Sequence, residues 1–486
     1  MKVLFLNRYI INLVRFKVRV CRVLPALKRV GPGGVLCLLA FSLYPLQVHA
    51  ASPANSYGFG PRGLAMAGSG AALVEDWSSI YYNISGLTAP RHSMVESSGA
   101  LPCGGTPRHS FALSYTIFSP MMHISNSNGS RHANDNARIG SDIDGHGLRQ
   151  FSAIVDAQRL VKTPYNIPVR LGIGVTMLGD GKELLQANVT SQKAYNFTSL
   201  GADAAKPEVM LALSFQPLPQ SLSIAIGSNI SATATGYIRA TELDSGKPVV
   251  ESDIELAMKP ALITAMTYRK TMAYQQQLFV SAGYRGMSQV DTDINISATL
   301  PVGVLDVIST SNMSLFSYFS PETLTGAVGY KLHSFDLALD VEWQRWSGFR
   351  LGPTSNLYEE PPRFNDIVIV RSGVEAPLGL GFANLWYLQV QTGYAYIPSY
   401  TPDQTGEANY LDNDKHVFGF GLKRKFQSLW FIKVPLSVEW GLQWQVWQQR
   451  KAVKSNPVAL PDGSLQPNYT YGGNMFLTSL GVSFEF

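Results

Sequence analysis

The last twelve residues narrow the fold more than any other stretch. Along Met475–Phe486 the even positions are Phe476, Thr478, Leu480, Val482, Phe484 and Phe486, and the odd ones are Met475, Leu477, Ser479, Gly481, Ser483 and Glu485. Side chains on a strand point alternately to its two faces, so one face here is apolar except for Thr478 and the other is mostly small or polar. The same pattern recurs in Val434–Val446, where Leu436, Val438, Trp440, Leu442 and Trp444 oppose Ser437, Glu439, Gly441, Gln443 and Gln445. It recurs again where Leu337, Leu339, Val341 and Trp343 oppose Asp340, Glu342 and Gln344. A soluble sandwich also alternates, but with shorter strands and its polar face outward. A polar face of Gly, Ser, Gln and paired charges suits a narrow wet interior, and the apolar face suits lipid.

Spacing points the same way. Candidate strands fall at 109–119, 148–161, 168–178, 207–217, 221–231, 253–269, 277–286, 322–332, 335–346, 366–376, 386–396, 416–426, 433–446 and 475–486, fourteen in all. The connections between them alternate long and short throughout. An even strand count with short turns on one side and long loops on the other is the pattern of an up-and-down transmembrane barrel. The expected fold is therefore all-β: a 14-stranded antiparallel transmembrane β-barrel over 106–486. Trp343, Trp346, Tyr394, Tyr396, Trp430, Trp444 and Trp447 lie near strand ends, as an interfacial aromatic girdle does, although core aromatics of a soluble protein satisfy the same spacing.

The net charge of +5 comes from the N-terminus. Residues 1–50 hold eight Lys/Arg and no acid, which leaves 31 of the 39 bases against 34 acids in the remainder. The basic excess belongs to that segment, so nucleic acid is not an expected partner. A basic stretch, an apolar run Val35–Leu46 and Val48-His49-Ala50 before Ala51 make 1–50 an expected signal peptide, with an uncleaved anchor as the alternative. Beyond it no stretch of about 18 apolar residues offers a membrane helix. Leu36 before Cys37 argues against a lipoprotein site, and cleavage leaves Cys103 as the one thiol, without a disulfide partner or a Cys-based metal site.

Residues 51–105 read differently from the barrel. Ser52–Leu87 (SPANSYGFGPRGLAMAGSGAALVEDWSSIYYNISGL) mixes glycines and small residues with one short amphipathic run, Leu64–Val74. Too little apolar surface is present to offset chain entropy, so the segment needs a container. The expected arrangement is an N-terminal hatch plugging the barrel lumen.

Two sets of motifs stand out: Arg62-Gly63-Leu64-Ala65-Met66-Ala67-Gly68, Ala71-Ala72, Asp76 and Ser79-Ile80-Tyr81-Tyr82-Asn83 near the N-terminus, then Asp340–Trp346, Arg371–Glu375, Gly393–Tyr396, Asp414-Lys415-His416 and the terminal Phe486. The first set is similar to the N-terminal signature, and the second follows in order the C-terminal pattern, of a known family that the chain therefore resembles, the FadL/TodX outer-membrane transporters of long-chain fatty acids and hydrocarbons. One departure stands out: the family has Asn-Pro-Ala-Gly where this chain has Asn83-Ile84-Ser85-Gly86, which frees a backbone angle and restores an N–H. The resemblance implies passive capture of a hydrophobic ligand by extracellular loops, a pocket against the hatch at Asn83, Ile84, Ser85 and Gly86, and lateral release through the wall near the third strand. It also implies a bacterial outer-membrane location among lipid and lipopolysaccharide, insertion by the barrel-assembly machinery through Phe486, and a monomer.

Candidate ligand residues follow from composition. The expected loop 287–321 contains Leu300–Phe319, with one charge, Asp306. Leu305, Val307, Ile308, Met313, Leu315, Phe316 and Phe319 there suit a greasy capture groove or a lid over the mouth. For a carboxylate headgroup the candidate bases are Arg170, Lys259, Arg285 and Arg371, with ion pairing to acids such as Asp340 and Glu342 as the plainer alternative. Pro260 inside a candidate strand marks a bulge or a strand break. Gly58–Gly63 matches a dinucleotide motif without its preceding strand. Asp142–His146 lacks the downstream Glu of a calcium loop. No histidine spacing suits a metal, and no serine sits in an elbow or triad pattern. Neither cofactor, metal nor enzyme activity is expected. The alternatives are a general diffusion porin, a structural barrel and, more remotely, a barrel hydrolase.

Overall fold

The computed structural model describes residues 53–88 and then 109–486 except 127–146, 158–166, 179–194, 199, 201–207, 219–220, 243–247, 273–275, 303–304, 333–334, 350–362, 379–387, 407–408, 427–428, 430–431, 433 and 456–467. At 53, 55, 196, 232–257 and 290–318 it describes the backbone alone. The expected signal peptide lies outside the described residues, as do the last residues of the expected hatch.

Fourteen strands close a barrel: β1 His109–Asn126, β2 Gly147–Asp156, β3 Val169–Leu178, β4 Glu208–Leu218, β5 Leu222–Glu242, β6 Pro248–Thr271, β7 Gln277–Arg285, β8 Glu322–Leu332, β9 Phe335–Arg345, β10 Ile367–Pro377, β11 Leu388–Ile397, β12 Lys415–Phe426, β13 Leu436–Ala452 and β14 Tyr469–Glu485. Each pairs antiparallel with its neighbours in chain order. The ring closes between β1 and β14, in register from Ser110 opposite Glu485 to Asn126 opposite Tyr469. Closure leaves no backbone edge to be satisfied by hydrocarbon.

The faces alternate as the residue pattern demands. Leu337, Leu339 and Val341 are exposed on the outside, while Ala338 and Asp340 between them are buried. Leu113, Ile117, Leu211, Leu213, Val328 and Leu480 continue the exposed apolar belt on other strands. An outside that is apolar around a buried polar inside is the reverse of a soluble protein. Lipid is the solvent that makes it stable.

Four features differ from the sequence expectation. Several strands run further toward the long-loop end, most of all β5 and β6. The stretch 287–321 is not a loop but a β-hairpin, Ser288–Val302 and Leu305–Ser320, whose first arm pairs in parallel with β5 from Thr235 opposite Asp293 to Thr241 opposite Thr299. Pro260 marks neither bulge nor break: β5 and β6 stay in register through Ile230 opposite Pro260. On its other side β7 has already ended, since the last pair is Ile263 with Arg285, so the missing N–H interrupts no ladder there. Finally, Tyr394 and Trp444 do face outward, but Trp447 is buried inside the lumen, and Trp346 belongs to an aromatic cluster built with Phe319, Phe349, Phe364 and Tyr400.

The lumen is filled by residues 53–88. They form three short helices, α1 Pro53–Tyr57, α2 Gly60–Ala65 and α3 Ser79–Tyr82, and a 3-10 turn Ile84–Thr88. Gly58 and Gly60 take φ of 77° and 76°, which permits the tight corner between α1 and α2. The hatch shares one core with the wall. Phe59, Trp77, Ile80, Ile84 and Leu87 pack against inward-facing Ala112, Ile154, Ala212, Ala225 and Ala265 of the wall.

Small wall residues are what make this approach possible. A Cβ on Gly393 of β11 would fall inside contact distance of the Met66 backbone, one on Gly419 of β12 would meet the Leu64 and Ala65 carbonyls, and one on Gly441 of β13 would meet the Pro61 carbonyl. Three adjacent strands thus let α2 lie with its backbone against theirs. Gly393→Val is expected to unseat the hatch while the barrel still forms. Single-channel conductance of the purified variant should rise at least tenfold over wild type, with heat-modifiable gel migration unchanged; wild-type conductance would show that the contact does not hold the hatch.

Candidate functional site: the cavity between hatch and wall

A cavity of about 120 Å³ opens between the hatch and strands β6 to β13. Tyr81, Tyr82, Asn83 and Ile84, with small residues of the α1–α2 region, form its hatch side, and Arg285, Thr325, Asp340, Glu342 and Arg371 form much of its wall. Two of the four candidate bases therefore meet at one place. Arg371 makes a forked pair with Glu342, Nη1 to Oε2 at 2.9 Å and Nη2 to Oε1 at 3.3 Å. Arg285 donates to the Tyr81 carbonyl at 2.7 Å and to Glu208 at 3.4 Å, and its guanidinium lies 4.6 Å over the Tyr81 ring centroid. Asp340 accepts the Ala71 N–H at 2.9 Å. The Tyr82 hydroxyl accepts the Phe59 N–H at 3.0 Å, and burial pushes its phenol up to about 12, so it stays neutral.

The other two bases lie elsewhere. Arg170 is buried and donates to the Leu87 carbonyl at 2.8 Å, tying the end of the hatch to β3. Lys259 shares the inward parity of Ala261 and Ile263 but stands beyond the end of β7, exposed, with Nζ donating to the Gln289 carbonyl. It lines no part of the cavity. Of the apolar candidates, Leu305, Val307, Ile308, Met313, Leu315 and Phe316 fall on a hairpin arm whose side chains lie outside the described residues. Phe319 packs edge-on to Phe349 with ring centroids 5.3 Å apart, beside the Trp346–Tyr400 stack at 3.6 Å.

The turn Asn83–Gly86 explains how the chain manages without the proline of the resemblance. The Asn83 side-chain amide donates to the Ala71 carbonyl at 2.8 Å and to Thr267 at 2.9 Å, and its oxygen accepts from the Ser85 N–H and hydroxyl. The Ser85 and Thr267 hydroxyls sit 2.7 Å apart. Side-chain hydrogen bonds hold the turn in place of a ring, and Ile84 uses the vacated position to pack into the apolar cluster.

A second set of contacts fastens the hatch from the far side. Arg62 of α2 donates to Glu375 at 3.1 Å and lies 3.9 Å from Asp76, while Lys423 bridges Asp76 at 3.6 Å and Glu439 at 2.9 Å. Burial alone would raise the Asp76 carboxyl, but Lys423, Arg62 and hydrogen bonds from Ser78 outweigh it and bring it to about 2. Glu75 meets Lys331 at 3.2 Å and Arg269 at 3.6 Å. Gln150 grips the backbone of Gly58 and Gly60, at 2.7 Å each.

Above the hatch the lumen turns apolar. Tyr57 of α1 stacks on Phe118 at 4.3 Å, and around them gather Met122, Phe197, Trp447, Tyr471 and Met475. Phe197 is brought in by a two-residue parallel pair, Asn196–Phe197 with Tyr410–Leu411. Alternation placed Trp447 near a strand end. It shares the inward parity of Glu439, Gly441, Gln443 and Gln445, and β13 stays in register with β14 up to this residue, shifting only between Trp447 and Arg450.

No protein-family model matches the sequence. The chain is 24% identical over 428 residues to alkane uptake protein A of Marinobacter nauticus, covering 84% of this chain and 86% of that one. Among solved structures it resembles a FadL homologue of Pseudomonas aeruginosa, at 12% identity and a TM-score of 0.52, covering 90% of this chain and 100% of the other. The toluene transporter TodX of Pseudomonas putida aligns at 11% identity and a TM-score of 0.47 over 88% of this chain and 98% of TodX.

Proposed function

We propose that this chain, a member of the FadL/TodX family of outer-membrane barrels, carries hydrophobic small molecules passively across the bacterial outer membrane. The relative named for alkane uptake supports a hydrocarbon, and the FadL resemblance leaves a fatty acid open. One observation supports the reading most: the lumen is stoppered by a hatch packed against the wall, and above it aromatic and aliphatic side chains pack together across the lumen. A hydrophilic solute finds no wet path through such a barrel. An apolar one gains contacts at the mouth and loses its costly hydration before it reaches the hatch.

In this reading a ligand is captured at the outer end of the barrel, with the Ser288–Ser320 hairpin contributing. It passes to the cavity beside Asn83–Gly86 and leaves sideways through the wall once the hatch shifts. At about 120 Å³ the cavity suits a ring or a short chain segment, so a longer ligand needs that shift. The protein acts as a monomer, and Phe486 serves as the terminal signal for barrel assembly.

The test pairs two measurements on the purified protein. Planar bilayers should show little conductance, and proteoliposomes should accumulate a radiolabelled hydrocarbon such as dodecane at least tenfold faster than protein-free vesicles. Large open conductance with no hydrocarbon accumulation would establish the porin alternative instead.

A further inference from the structure

Both bases of the cavity beside the hatch are already neutralised. Each has a carboxylate: Arg371 holds both oxygens of Glu342, and Arg285 has Glu208 together with the Tyr81 carbonyl. Asp340 adds a further carboxylate, held by the Ala71 N–H. The neutral polar groups at the rim are engaged too, since the Gln344 amide donates to Glu342 and the Gln443 and Gln445 amides bond to each other. A ligand carboxylate arriving here would surrender its hydration, find no cation without a partner among the described residues of this wall, and face carboxylates in excess of bases. Burying an unpaired charge is far more costly than burying a hydrocarbon.

We infer that Glu342 and Glu208 are specificity-determining residues: by occupying Arg371 and Arg285 they make the cavity select uncharged hydrophobic ligands, hydrocarbons and their alcohols, over carboxylates of equal chain length. The inference rests on the transport reading above and names its substrate class. Glu342 does two things at once. Its two oxygens take the end-on fork of Arg371, Nη1 and Nη2, and the Nε side of that guanidinium lies against Gly68 of the hatch. It also supplies the negative charge that a ligand would otherwise bring.

The experiment measures equilibrium binding of 1-dodecanol and of dodecanoate at pH 8 to the full-length mature barrel in lipid nanodiscs, with empty nanodiscs subtracted. Wild type should bind dodecanol at least tenfold more tightly than dodecanoate. Glu342→Gln, which frees Arg371 while keeping side-chain size, should raise the ratio of dodecanoate to dodecanol affinity at least tenfold. Should that variant fail to assemble, Glu208→Gln, which frees Arg285, is expected to move the ratio in the same direction. Equal binding of the two ligands by wild type would overturn the inference, as would an unchanged ratio in an assembled variant. If neither ligand binds wild type, the transport reading itself falls, which is a distinct result from binding both alike.

Discussion

Joining positions 85 and 267 by a disulfide is expected to reduce hydrocarbon uptake at least twentyfold, and reduction should restore it. The Ser85 and Thr267 hydroxyls are 2.7 Å apart, one on the hatch turn and one on β6, which brings their Cβ atoms close to the range a disulfide spans. Converting both to Cys therefore asks little of the backbone. If transport requires the Asn83–Gly86 turn to leave the wall, the covalent bond removes that motion and leaves the outer mouth untouched. The variant is made in a background with Cys103→Ser, because Cys103 is the one thiol expected in the mature chain. Uptake in proteoliposomes is read before and after dithiothreitol. An oxidised protein that transports at the wild-type rate would show that the ligand bypasses this turn.

The second large effect is expected at Asp76. Its carboxylate lies between Arg62 and Lys423, each also paired to a wall carboxylate. Without it Arg62 keeps Glu375 and Lys423 keeps Glu439, so what is lost is the hatch's charge-assisted contact to Lys423 and the Ser78 hydrogen bonds to the carboxylate, about 1.5–3 kcal/mol. At about 1.4 kcal/mol per factor of ten, hatch seating then weakens by roughly one to two orders of magnitude. Asp76→Ala is thus expected to convert a closed barrel into one with frequent open-channel events, with Asp76→Asn intermediate because it keeps the hydrogen-bonding shape. Acid should mimic the mutation. The Asp76 carboxyl is lowered to about 2 from an ordinary value near 4, so its contribution is complete above the ordinary value and is lost as pH falls through the lowered one. Openings of wild type should increase between about pH 4 and pH 2, and in Asp76→Asn that part of the pH dependence should vanish.

The barrel was readable because each face of a strand is a local property. Leu337, Leu339 and Val341 must all point one way whatever the rest of the chain does, and lipid outside makes that side apolar. The strand ends toward the long loops were harder. Beyond the membrane no wholly apolar face is required, and the end of β5 continues by pairing alone. Val250, Ile254 and Leu256 at the start of β6 and Val290, Ile294, Ile296, Ala298 and Leu300 in the hairpin alternate with acidic and small polar residues, a pattern that an exposed loop also satisfies. Pro260 misled for a related reason: its effect depends on whether a neighbour stands opposite its nitrogen, and β7 ends before it. The bases were identified individually in the sequence, but Arg170 and Lys259 do not share the cavity with Arg285 and Arg371.

The amino-acid order by itself settled an even-stranded barrel and its outward face, and showed that the segment holding residues 53–88 has too little apolar surface to stand alone, since alternation and apolar content act over a few neighbouring positions. The folded chain decided which charges cancel. Arg62 and Glu375 are 313 positions apart, and Arg285 and Glu208 are 77. A charge's role depends on what closes around it, so the difference between a headgroup site and a neutral cavity arises only once the ring has closed on its hatch.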